Sequence, residues 1–165
     1  MEKRDNIEKV GIIFGPGTYF GRELLNIFAP FHSMGVVSRH RPEYLRDDEK
    51  FYAGDLSTIE SIQTLIEEIR SNIKRIDLII VNLKSNQKGN IFSVDLEQMQ
   101  ASFCSQIIAL VAIVQGFEDL FTNGATIVLT GGGFKDKPIS NKMNLGAAKA
   151  ALCNIVLSRI EVLSE

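Results

Sequence analysis

Short apolar runs punctuate this chain, and stretches of helical length and pattern separate most of them. Val10–Phe14 (VGIIF) stops at Gly15, while Gly35–Ser38 and Phe51–Ala53 are briefer strand candidates. Asp77–Val81 (DLIIV) is nearly continuous, and Ala125–Thr130 (ATIVLT) breaks at Gly131–Gly133. Runs that are continuous rather than alternating suit strands buried on both faces, and both Val10–Phe14 and Ala125–Thr130 read as such strands.

The intervening segments carry helical signals. Gly21–Phe28 is compatible with a helix and is ended by Pro30. Ser57 and Glu60 stand at capping-box spacing before Ile59, Ile62, Leu65, Ile66, Ile69 and Ile73, which recur close to every 3.6 residues. Asp95 and Gln98 predict a second N-terminal cap and a long helix to about Phe121, and a last helix is expected from about Asn144 to Leu163. Five alternations of strand and helix require crossover connections. They predict one domain, residues 1–165, of the doubly wound α/β class: a parallel sheet of about five strands in the order 3-2-1-4-5 with helices on both faces. Ser102–Val114 is apolar nearly all the way round, so it needs cover on a second side, for which another subunit is the simplest candidate.

Composition narrows the classes. With 45% hydrophobic and 23% charged residues and a formal net charge of −2, the chain reads as an ordinary soluble domain. No basic stripe suits nucleic acid. Arg39, His40, Arg41 and Arg46 cluster, but Asp47, Asp48 and Glu49 follow at once, the pattern of a solvated loop. Cys104 and Cys153 lack ligand partners and His32 and His40 are the sole histidines, so no metal site is expected and the cysteines read as reduced. Met1–Lys9 is charged rather than leader-like, and the longest apolar run, Ile107–Val114, is too short to cross a bilayer. The expectation is a cytoplasmic protein without a membrane partner.

Chemistry concentrates in one turn. Gly15-Pro16-Gly17-Thr18-Tyr19-Phe20-Gly21 links the first strand to the first helix. Glycines there allow a sharp turn, let a pyrophosphate approach main-chain N–H groups, and let helix and strand pack closely. A tight turn without a ligand is the competing interpretation.

Together these fragments resemble the short-chain dehydrogenase/reductases, in the same order and over nearly the whole chain. Gly15, Gly17 and Gly21 match that family's TGxxxGxG turn, and Arg39 stands where a basic residue often favours the 2′-phosphate of NADP. Asp55 and Leu56 match the acidic pair whose Asp holds the adenine amino group. Asn82, ending DLIIVN, falls on the second Asn of the fourth-strand motif, and LGAAKAAL (Leu145–Leu152) resembles YxxxKAAL, with Lys149 on the family's lysine. The resemblance implies a Rossmann-like fold, a site for NADP or NAD, and subunit association through helices 95–121 and 144–163.

The departures bear on activity. Leu145 replaces the family's catalytic Tyr, Gly131–Gly133 the Ser region and Gln106 the Asn, so Lys149 is the one remnant of the tetrad. Leu83-Lys84 replaces the Ala-Gly of the fourth strand, and Tyr19 replaces the middle Gly, where it either obstructs the pyrophosphate or stacks on a ligand. No substitute acid stands out, since Lys142, Ser140 and Tyr19 are poorly placed. The chain also ends where the family continues into further strands and a substrate loop. The resemblance implies an NAD(P)-binding, oxidoreductase-like protein with little or no dehydrogenase activity. The alternatives are an interaction module that keeps the scaffold without cofactor, or a partial domain completed by a partner.

Overall fold

The computed structural model describes residues 9–47 and 49–162. Residues 1–8 of the charged N-terminal segment, and Leu163 at the expected end of the last helix, lie outside the described residues. The five apolar runs form one parallel sheet in the order β3-β2-β1-β4-β5, as the alternation predicts. The strands are β1 (Val10–Phe14), β2 (Ser33–Ser38), β3 (Lys50–Ala53), β4 (Ile76–Val81) and β5 (Phe121–Leu129). Register sets Ile12 between Gly35 and Ile79, and the pleat sends successive side chains to opposite faces. Ile12, Phe14, Ile79 and Val81 join the larger core, whereas Ile13, Val36, Leu78 and Ile80 join the smaller one.

Helices cover the two faces unequally. α1 (Tyr19–Phe28) packs Leu25 onto the smaller core, where the β2–β3 loop adds Leu45. α2 (Ile59–Asn72) buries Ile62, Leu65, Ile66 and Ile69 against the larger core, the face its spacing foretold, whereas Ile59, assigned to the same face, is exposed at the first turn. Its cap is Thr58, not Ser57: Thr58 has the extended backbone a cap needs, and its Oγ1 accepts the Ser61 N–H at 3.2 Å. Ser57 lies one residue too early, in a turn where its own N–H goes to Asp55 Oδ1 at 3.0 Å.

Asp95 caps the next helix as expected, accepting the Gln98 N–H at 2.8 Å. This helix runs as α3 (Leu96–Phe103), a π-helical turn (Cys104–Ile108) and α4 (Ala109–Gly116). It stops at Gly116 rather than near Phe121. Phe117 leaves helical geometry to reach the core, where its ring lies 6.5 Å from that of Phe14, and Arg70 donates to the Gly116 carbonyl. Leu96–Gly116, 21 residues that hold an 18-residue window of mean hydropathy 1.4, is longer than its apolar run suggests and meets the length and composition of a bilayer span. Its buried face (Ser102, Cys104, Gln106, Ala109, Leu110 and Ile113) makes it a layer of the domain instead. α5 (Met143–Val162) packs beside α3 and the π turn.

One expectation fails. β5 is not interior: Ile127 is 40% and Val128 36% exposed, on opposite faces, because β4 borders one edge and, among the described residues, no strand borders the other. The basic cluster does lie in an exposed loop, with Arg39, His40, Arg41 and Arg46 at the surface, but local contacts hold that loop in place. Leu45 and Glu49 are buried, Arg46 chelates Glu49, and Arg41 lies over the Phe51 ring.

Candidate functional site

The glycine turn forms at the carboxyl end of β1, beside the end of β4. Gly15 and Gly17 have φ of 71° and 67°, the left-handed region that favours glycine. Gly15 is also hemmed in, since a Cβ there would lie 2.9 Å from Leu83 Cδ2 and 3.0 Å from the Asn82 carbonyl oxygen. Gly21 serves packing instead: a Cβ would meet the Pro16 carbonyl oxygen at 2.2 Å, and the residue lies beneath the turn rather than in a cavity. Thr18, at the N-cap of α1, makes no side-chain cap, and no acidic residue stands in the first turn. The first N–H groups of α1 and the positive end of its dipole thus lack a competing anion. Tyr19 is 78% exposed and swings away from the cleft, which removes the obstruction its bulk suggests. Tyr44 latches the turn by donating its O–H to the Gly17 carbonyl.

A cleft of about 630 Å³ opens across the carboxyl ends of the strands and brings together Gly15, Gly17, Arg39, Asp55, Leu56 and Asn82. These come from four different strand ends, and the parallel topology alone makes them neighbours. Arg39 follows β2 and is exposed. Asp55 commits Oδ1 to Ser57, while Leu56 is 7% exposed with its side chain in the core. Asn82 is the hub: its Nδ2 donates to the Gly15 carbonyl at 2.8 Å, and its Oδ1 accepts from Thr130 Oγ1 at 2.9 Å. The opposite wall comprises Ser85, Gln87, Ser102 and Ser105, which the sequence reading missed because nothing short-range marks small polar residues as a wall.

Lys149 lies outside that cleft. It is 6% exposed, and its Nζ donates to the Leu83 and Thr130 carbonyls at 3.0 Å each. Among the described residues no carboxylate balances it, and burial pushes its amine below the ordinary lysine range. The amine therefore clamps the ends of β4 and β5 together. Gln106 is fully buried in the π turn; its Nε2 donates to the Ser102 carbonyl and Oγ, while its Oε1 finds no protein partner among the described residues. Leu145 is half-buried, and Gly131–Gly133 are exposed. Among the described residues, no group of three or more His, Cys, Asp or Glu side chains could hold a metal.

A doubly wound parallel sheet with a glycine turn at its carboxyl edge defines the Rossmann-like class. The chain matches the family model described as Enoyl-(Acyl carrier protein) reductase over residues 36–159, and it belongs to the short-chain dehydrogenase/reductase superfamily. A short-chain dehydrogenase family protein from Francisella tularensis is 19% identical with a TM-score of 0.80; the match covers 89% of this chain and 60% of that protein. A short-chain dehydrogenase/reductase from Serratia marcescens is 12% identical with a TM-score of 0.82, over 95% of this chain and 69% of its own. A Shigella flexneri short-chain dehydrogenase complexed with NADP is 18% identical with a TM-score of 0.76, over 90% and 69%. Sequence comparison with curated proteins finds no match. The chain thus shares the superfamily's oxidoreductase fold while spanning 60% of the Francisella protein's length.

Proposed function

We propose that the chain binds NADP in preference to NAD and has little or no dehydrogenase activity of its own. The observation that carries this reading is the contrast between the glycine-turn cleft and the corner around Lys149. In the cleft, the residues present suit the adenosine half of a dinucleotide. The uncapped start of α1 and the glycine backbone suit the pyrophosphate, Arg39 suits a 2′-phosphate, and Asp55 keeps one carboxylate oxygen for an amino group. At the corner, the Lys149 amine is spent on two carbonyls and Leu145 has no proton to give.

Bound NADP would supply hydride chemistry, and the protein's share would be proton donation and positioning. Gly15, Gly17 and Asn82 would fix the turn and Arg39 the phosphate. Absence of a general acid alone costs roughly 10²–10⁴-fold in rate. Calorimetry tests the binding claim: NADP binds at least tenfold tighter than NAD, and Arg39→Ala removes that preference. Equal affinities, or an Arg39→Ala variant with unchanged NADP affinity, would exclude Arg39. NADPH consumption with generic carbonyl substrates stays at background; robust turnover would overturn the claim of inactivity.

The exposed Ile108 and Val111 on the long helix, with the open edge of β5, favour a second role beside the first. In that role the scaffold acts by association, either with itself or with a partner protein on the same surface.

A further inference from the structure

α5 presents a second cavity on the side turned away from Lys149. Ala148, Lys149 and Leu152 face the sheet and are buried, whereas Met143, Gly146, Ala147 and Ala150 recur at i, i+3, i+4 and i+7, half a helical rotation away. Over this second face lies a hollow of about 560 Å³, within the usual size range for small-molecule sites. Its floor is the small-residue face of α5. Its walls are Ile91 and Phe92 from the loop before α3, and Phe134, Pro138 and Ile139 from the loop after β5.

The walls are fixed to one another. Gly89 pairs with Lys142 in a parallel bridge, and its N–H reaches the Asn141 carbonyl at 3.1 Å. At Gly146 a Cβ would press on the Phe134 carbonyl oxygen at 3.1 Å, so the absent side chain lets that wall close in. The charge at the rim has one sign. Lys135 and Lys142 line the hollow and no carboxylate does; Lys135 pairs with its neighbour Asp136, and Lys142 has no acidic partner among the described residues.

We propose that this hollow is a binding site for an amphiphilic carboxylate: an alkyl chain on the apolar floor, with the acid group at Lys142. The apolar lining asks for a hydrocarbon body, and an unpaired ammonium at the edge of that lining asks for one negative charge beside it. The site is separate from the glycine-turn cleft and independent of what binds there.

The test is calorimetry on the whole chain with decanoate, decanol and NADP, below micelle-forming concentrations. Decanoate binds at one site, and decanol binds about fivefold more weakly, the size of effect expected for a half-exposed ion pair. Lys142→Gln removes that difference. Ala150→Trp fills the hollow and abolishes decanoate binding while NADP affinity is unchanged, and Ala147→Leu does the same should the tryptophan variant not fold. Several results would overturn the site: no decanoate binding, decanoate and decanol binding equally, or binding that persists in the filled variants. A hollow closed by a second copy of the chain, seen as decanoate binding only to monomer in sedimentation, would also overturn it.

Discussion

Asp77 shows how much one side chain can organise at the edge of a parallel sheet. Its carboxylate accepts the Val10 N–H at 2.8 Å, the Arg75 guanidinium, and Thr122 Oγ1 at 2.9 Å, so it pins β1, β4 and β5 at their amino ends. Arg75 chiefly holds its pKa down at about 2, helped by the Val10 and Thr122 bonds and opposed by burial. A carboxyl whose folded pKa lies below its ordinary 3.8 stabilises the fold above that ordinary value and loses the contribution as pH falls through the folded one. Asp77→Asn should therefore cost about 2 kcal/mol at neutral pH, the scale of hydrogen bonds to a charged group. The deficit against wild type should shrink between about pH 4 and pH 2, the window those two pKa values bracket. Urea unfolding across that range measures it, and a deficit that does not change with pH would show that the charge is immaterial. Lys149 has a comparable pinning role at the carboxyl ends of β4 and β5, with carbonyls in place of charged partners.

At the scale of elements, the glycine turn separates two uses of the same residue. Gly21→Ala places a methyl against backbone that cannot swing aside, 2.2 Å from the Pro16 oxygen. A cost of about 3 kcal/mol is expected, the upper end for overpacking. Gly17→Ala meets nothing within 4 Å and pays only for its left-handed φ, about 1 kcal/mol. Thermal unfolding of both variants checks the ranking, and a Gly17→Ala chain that melts below the Gly21→Ala chain would reverse it. Strand identities and the glycine turn were legible because each is written in a contiguous run. The missed features are non-local or lack a compositional mark. The Tyr44 latch joins residues 27 positions apart. The π turn at Cys104–Ile108 comes from one extra residue per turn in a segment whose composition suits an ordinary helix. The apolar pattern of Ala125–Thr130 fitted burial, but burial depends on a neighbour, and the edge position is a property of the sheet. Gly15, Gly17, Arg39, Asp55, Leu56 and Asn82 could be named individually from the sequence, whereas the opposite wall of the cleft, and the separation of Lys149 from it, depend on where side chains end in space.

For the whole molecule, the unequal cover of the sheet decides how the protein behaves in solution. The all-round apolar segment Ser102–Val114 needed cover on two sides, and its own chain provides one: Ala109, Leu110 and Ile113 are buried, whereas Ile108 is 40% and Val111 37% exposed, one turn apart. The alanines of α5 divide as well, with Ala148 buried, but Ala147 and Ala150 line the outer hollow and stand apart from this surface. Further along α5, Val156 and Leu157 are exposed, and the open edge of β5 adds Ile127 and Val128. Exposed apolar residues on the long helix favour a contact with another polypeptide, and a strand edge that no strand borders among the described residues invites one too. A second copy of the chain meets the requirement in a two-fold contact, because one surface then serves both partners. The expected outcome is a dimer in sedimentation at micromolar concentration, and Ile108→Glu with Val111→Lys shifts it to monomer. That double variant should keep NADP affinity unchanged, since neither position lines the cleft. A wild-type chain that sediments as a monomer, or a double variant that stays dimeric, would move the contact off the long helix.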